Sequence, residues 1–158
     1  MNSTIRTGVG IDAHKYGTEV PCFLAGLEWP DVQGFVGHSD GDAAVHALCD
    51  SVLSACQLGD IGDLFGVDRP EWRGASGTAM IEYLREFISG KGFVINNVAL
   101  VIVGNEPRIT ARRNEAQDVL SAALGAPVSV SATTSDALGF TGRGEGIFVI
   151  ANALVQVL

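Results

Sequence analysis

The chain has 158 residues, 47% of them apolar and 18% charged, with a formal net charge of −8. That length suits one domain with its own core, and residues 1–158 read as a single domain with no linker, repeat or low-complexity tract. The acidic balance excludes a nucleic-acid partner, whose phosphates need basic patches, and no apolar run approaches the ~20 residues that span a membrane.

The first predicted element is a strand over IRTGVGIDAH. VPCFLAGLEW reads as two short strands around a glycine turn, ended by Pro30. In HSDGDAAVHALCDSVLSACQLGD, apolar residues at Val45, Leu48, Val52 and Cys56 follow a helical period with one buried stripe. Asp40 or Asp42 is its N-cap and Gly59 its stop. GDIGDLFG predicts a short helical turn inside a loop. ASGTAMIEYLREFISGKG predicts a second long helix, capped by Ser76 or Thr78 and stopped by Gly90. FVINNVALVIVG is a β-branched strand broken at Pro107, and TARRNEAQDVLSAALG a third helix. PVSVSATT is a strand, SDALGFTGRGEG a glycine-rich loop, and GIFVIANALVQVL a closing strand. The class is α+β, α/β-like in its alternation: a small mixed sheet with helices on one face. The lean charge and high apolar content hint at a homo-oligomer. MNSTIRTGVG lacks the apolar core of a signal peptide. Cys22, Cys49 and Cys56 are odd in number and show no C-x-x-C spacing, so they read as reduced thiols. Both features point to the cytoplasm.

Asp12 and His14 lie two apart in the first strand and therefore point the same way. His46 sits on the first helix, one position off its apolar stripe. One oxygen and two nitrogens from a strand and a neighbouring helix suit a catalytic zinc site, which keeps a fourth position open. The alternative is a surface Asp12–His14 pair beside a hydrogen-bonded, half-buried His46. Cys49 and Asp50 are rival ligands on the same side of that helix. HSDGD reads as a turn and cap, which explains Ser39, Asp40 and Gly41 but not His38. ATTSDALGFTGRGEG joins three successive hydroxyl residues to Asp136 and four glycines. Such a segment is either a phosphate cradle with Mg²⁺ on Asp136 or a plain glycine-rich loop. Arg143 and Glu145 are either an ion pair or an anion site at a subunit contact. In GNEPRITARR, Arg108 stands at a turn where a phosphate could be met, while Arg112 and Arg113 read as a solvated helix face.

Taken together and in order, GIDAHKYG, GHSDGDAAVHALCDSVLSACQLGDIGDLF, GNEPRI and ATTSDALGFTGRGEG resemble the 2-C-methyl-D-erythritol 2,4-cyclodiphosphate synthase family over nearly the whole chain. The resemblance implies a homotrimer with active sites between subunits. It implies conversion of 4-diphosphocytidyl-2-C-methyl-D-erythritol 2-phosphate to the cyclic diphosphate with release of CMP, in the non-mevalonate route to isoprenoids. It implies Zn²⁺, or another divalent transition metal, on Asp12, His14 and His46, and Mg²⁺ or Mn²⁺ on Asp136. By the same resemblance His38 and Thr134 stabilise the transition state. Ser39, Asp60, Ile61 and Gly62 hold the methylerythritol phosphate. Gly104 to Thr110, Arg108 among them, line the cytidine pocket with Ala132 and Thr133. Asp12, Ala13, His14, Ser135 and Asp136 contact substrate as well. Phe140 and Arg143 match positions near the trimer axis, where an isoprenoid diphosphate is a candidate ligand.

The sequence departs from the commonest family pattern at four places. Asp136 stands where a Glu is frequent, Arg108 and Ala137 where a Lys is frequent, and LFGVDRP replaces an acidic, proline-containing loop. Two other classes fit parts of the pattern. One is a non-catalytic trimeric binder of isoprenoid or nucleotide phosphates, and the other a metal phosphohydrolase that would release inorganic phosphate.

Overall fold

Gly8 and Gly10 leave the middle of one face of the first strand without side chains, and a helix lies in that space. The computed structural model describes residues 4–37, 40–66 and 68–158. The strands are β1 (Ile5–Lys15), β2 (Cys22–Leu24), β3 (Leu27–Trp29), β4 (Phe93–Val103), β5 (Val128–Thr133) and β6 (Gly146–Val157). The helices are α1 (Ala43–Cys56), α2 (Ile61–Phe65), α3 (Gly77–Ser89), α4 (Arg113–Leu124) and the single turn α5 (Gly139–Gly142). Short 3-10 turns cover Pro70–Trp72 and Ile109–Arg112.

Four strands form one mixed sheet in the order β1-β6-β4-β5, and β2 and β3 form a separate hairpin. The β4–β5 pair is parallel and is connected through α4, as a parallel pair requires. The long strands alternate, apart from a register shift in β4 between Ile95 and Asn97. On β6, Ile147, Val149, Ala151, Ala153 and Val155 are fully buried beneath the helices. The opposite face carries exposed apolar residues, including Val9, Ile11, Val101 and Ile150. The expected helical layer on one face is present, and no described helix covers the other. Among the described residues no helix is long and apolar enough to cross a membrane.

The structure corrects three sequence expectations about elements. α1 is buried almost all round rather than along one stripe. Several residues off the stripe are small (Ala43, Ala44, Ala47, Ala55), which lets strands and helices close on those sides. The approach to β1 is backbone on backbone: a Cβ at Gly8 would lie 2.2 Å from Ser51 O, and one at Gly10 would lie 2.1 Å from Ala47 O. Secondly, Gln57 in the left-handed conformation ends α1, two residues before Gly59. Thirdly, the glycine-rich segment after β5 contains the helical turn α5. Asp42, not Asp40, is the N-cap of α1. Its buried carboxylate accepts from Ala44 and Val45 N–H and also from Ala25 and Gly26 N–H, tying the β2–β3 turn to the helix start. Asp40 accepts from Gly77 N–H at 2.7 Å and so links the loop before α1 to the start of α3.

Candidate active site

β1 delivers Asp12 and His14 to its helix-covered face, and α1 lowers His46 onto them. Asp12 Oδ2 lies 3.0 Å from Nδ1 of both His14 and His46. The ligand atoms of all three residues fall within 4.8 Å of one another. The contact with His46 is a hydrogen bond. The one with His14 is not, and His14 Nδ1 is buried with no hydrogen-bond partner among the described residues. A buried nitrogen without a partner costs desolvation energy unless an electrophile occupies the site. One carboxylate oxygen and two imidazoles are the donor set of catalytic zinc. The residues present therefore fit a divalent transition metal. Burial pushes the Asp12 carboxyl up, but contacts with His14 and His46 outweigh it and hold it below the usual value. Burial pushes His46 down, but Asp12 outweighs it and holds the imidazole above its usual value.

Neither rival ligand belongs to this group. Cys49 is fully buried in the core, and burial pushes its thiol up. Asp50 accepts the Ile61 N–H at 2.8 Å and so anchors the start of α2. Asp60 caps that helix with a reciprocal box through Asp63. His14, His46, Ile61 and Gly62 line one cavity of about 540 Å³, together with Gly37, Phe65, Met80 and the segment around Trp72. Gly37 is seated against the metal group, since a Cβ there would lie 3.4 Å from His14 Nε2. Gly37 and Phe65 fall at the two ends of GHSDGDAAVHALCDSVLSACQLGDIGDLF but take no role from it, and Trp72 and Arg73 lie just past LFGVDRP with no motif signal. Asp60 is exposed at the edge of this region. Ala13 faces the bare side of the sheet, opposite Asp12 and His14. His38 and Ser39 lie outside the described residues.

The second group gathers at the same end of the sheet. Gly104 N–H donates to Thr133 O at 3.0 Å, so the loops after β4 and β5 meet. Asn105, which no motif singled out for itself, donates to Gly142 O and joins α5 to them. Ala132, Thr133, Thr134 and Asp136 are exposed, and Thr134 Oγ1 donates to Asp136 Oδ1 at 3.4 Å. Ser135 is engaged with Leu138 O and Thr141 Oγ1 instead. Asp136 and Ala137 both have positive φ, +50° and +64°, a strained pair that the contact of Gly142 with Ala137 holds in place. Arg108 is exposed, 3.8 Å from Glu106, and Phe140 is exposed on α5. Arg143 pairs with Glu145 at 2.8 Å. Arg112 departs from the solvated reading. It pairs with Glu115, stacks on Trp29 and donates to Glu28 O. Arg113 buries its Nε.

The strand order β1-β6-β4-β5 separates Asp12 and His14 from Ala132–Asp136 by three strand spacings, about 14 Å. The cavity beside the metal donors contains no residue of the second group.

A family model described as the YgbB family matches residues 5–156. The chain belongs to the YgbB family. It is 55% identical over 152 residues to a 2-C-methyl-D-erythritol 2,4-cyclodiphosphate synthase of Cutibacterium acnes, covering 96% of this chain and 90% of that one. It is 49% identical to a bifunctional enzyme IspD/IspF of Clavibacter michiganensis, covering 99% of this chain but 38% of the longer protein. A solved 2C-methyl-D-erythritol-2,4-cyclodiphosphate synthase in its CDP-bound form superposes with a TM-score of 0.86 at 33% identity, over 95% of this chain and 99% of that one. The bifunctional IspDF of Campylobacter jejuni superposes at 0.93 with 29% identity, over 99% of this chain and 43% of that one. The mixed α+β sheet architecture is the one these YgbB-family structures share.

Proposed function

We propose that this chain converts 4-diphosphocytidyl-2-C-methyl-D-erythritol 2-phosphate to 2-C-methyl-D-erythritol 2,4-cyclodiphosphate and CMP, a step of isoprenoid biosynthesis. One observation carries the reading. An O,N,N donor set, with a buried nitrogen that has no hydrogen-bond partner among the described residues, opens into a cavity in a chain 55% identical to an enzyme of that name.

The reaction is an internal displacement. An oxygen of the 2-phosphate forms a bond to the β-phosphorus, the bond from that phosphorus to the bridging oxygen breaks, and CMP departs with that oxygen. Both reactants are on one molecule, so the residues act by folding it and by spreading charge. Asp12, His14 and His46 would hold Zn²⁺ or a similar ion, and Asp136 would hold Mg²⁺ or Mn²⁺. Bound there, such ions neutralise and polarise phosphoryl oxygens. Ile61 and Gly62, with Asp60 and Ser39, take the methylerythritol end. Gly104, Arg108, Ala132 and Thr133 take the cytidine end. His38 and Thr134 stabilise the charge that builds during transfer. Ala13, Ser135, Phe140 and Arg143 border the substrate or the subunit axis, where an isoprenoid diphosphate is a candidate occupant.

A homotrimer with shared sites completes the reading. Its support is the exposed apolar sheet face and the ~14 Å between the two groups within one chain. The setting is the cytoplasm.

Phosphorus NMR of purified protein with the cytidylyl substrate, Zn²⁺ and Mg²⁺ tests the activity. A cyclic diphosphate with stoichiometric CMP is the expected result. Inorganic phosphate would make it a hydrolase, and unchanged substrate on a metal-loaded protein would make it a binder.

A further inference from the structure

The cavity beside the metal donors has two basic residues to which the reading above gives no role. Arg69 and Arg73 flank the 3-10 turn Pro70–Trp72, and both line that cavity along with His14 and His46. Both are exposed. Among the described residues neither side chain makes an ion pair or hydrogen bond, whereas Arg85, Arg108, Arg112 and Arg143 each face a glutamate. Asp68 lines the same cavity; its Oδ1 lies 2.7 Å from where a Cβ at Gly66 would stand, and it forms no ion pair with either arginine among the described residues. The turn itself is fixed. Arg69 N–H donates to Gly66 O, and Arg69 O accepts from Trp72 N–H. Trp72 packs edge-on against Phe65 at 4.7 Å and against Tyr83 at 4.9 Å. Two uncompensated guanidinium groups are thus held on one wall of one cavity, in a chain with a net charge of −8.

We propose that Arg69 and Arg73 anchor the monoester phosphate of the substrate. The inference rests on the reading above. Of the substrate's phosphoryl groups, the monoester is the terminal one and carries up to two negative charges. Planar guanidinium forks match two of its oxygens and leave a third free to attack. The anchor grips the same group before and during transfer, so it lowers KM more than it raises kcat. Both bind the substrate directly. CDP lacks the 2-phosphate, and its own terminal phosphoryl is taken by the metal and cytidine end in this reading, so it does not engage them.

The test compares full-length wild type with Arg69→Gln, Arg73→Gln, the double variant and Arg73→Lys in CMP-release kinetics, with CDP affinity measured by calorimetry. Each single Gln variant should raise KM about tenfold, and the double variant more, at a kcat within about threefold. CDP affinity and zinc content should stay at wild-type values, and Arg73→Lys should recover part of the KM loss. An unchanged KM in the double variant overturns the anchor, as does an equal loss of CDP affinity. If wild type itself releases no CMP, the function reading fails separately. Inorganic phosphate titrated against Trp72 fluorescence in the Trp29→Phe protein then decides the anchor: a response that Arg69→Gln/Arg73→Gln abolishes keeps it, and no difference between them removes it.

Discussion

Asp12 Oδ2 and His46 Nδ1 meet at 3.0 Å although 34 residues separate them. One belongs to an edge strand and the other to a nearly enclosed helix, so the pair reports on how the helix is seated on the sheet. His14 completes the donor set with a nitrogen that has no hydrogen-bond partner among the described residues.

Asp12→Asn and His46→Ala should each lose the transition metal and at least about 100-fold in CMP release, a loss at or beyond the upper end for groups that only orient ligands. Both proteins should remain folded, because His46 lies at the cavity wall and Asp12 is half-buried, neither being among the core aliphatics. Metal analysis after gel filtration, beside circular dichroism, checks both points. A metal-free His46→Ala protein with full activity would remove the triad from the mechanism.

Asp136→Asn should slow CMP release more than it weakens CDP binding. The side chain is exposed and its one described side-chain partner is Thr134, so it is free to act through a divalent ion. Rates measured at limiting and saturating Mg²⁺ check this, and the deficit should be larger at limiting Mg²⁺. A wild-type rate at limiting Mg²⁺ would refute it.

Gly8→Ala or Gly10→Ala should destabilise by about 3 kcal/mol or yield insoluble protein. The added carbon would stand 2.2 Å or 2.1 Å from a carbonyl oxygen of α1, and backbone cannot yield as a flexible side chain does. Urea unfolding of the soluble fraction measures the cost.

The three thiols should be inert to alkylation in the native protein and reactive after denaturation. Burial pushes Cys22 up to about 12 and Cys56 up to about 11, and it raises Cys49 as well. At pH 8 a thiol at about 11 is ionised in about one molecule per thousand. These raised values also set a sign for stability. The neutral thiols favour the folded state fully below their ordinary value of 9.0, and that contribution is lost as pH rises through about 11 to 12. Stability should therefore fall on the alkaline side of pH 9, and substituting Cys56 by Ser should blunt the decline.

Much of this was legible in the residues. The alternation of β1, β4 and β6 and the caps at Ser76 and Asp42 follow local rules, and so does the shared face of Asp12 and His14. The remainder is non-local. A stripe at Val45, Leu48, Val52 and Cys56 predicts one buried face of α1. Burial of the other faces depends on alanines that become informative only when β1, β6 and α3 close on them. The meeting of Gly104 with Thr133 follows from the parallel β4–β5 register, which no short motif encodes. Trp72 reads as a lone aromatic until Phe65 and Tyr83 are found beside it.

Gly10 lies two residues before Asp12 and touches the turn of α1 that follows His46, where a Cβ would meet Ala47 O, Ser51 N and Asp50 Cβ. The separation of the main chains that carry the carboxylate and the helical imidazole is therefore set by direct contact. The frame that carries these donors is as stiff as the domain itself. Parting the two residues would mean prising a helix from a strand.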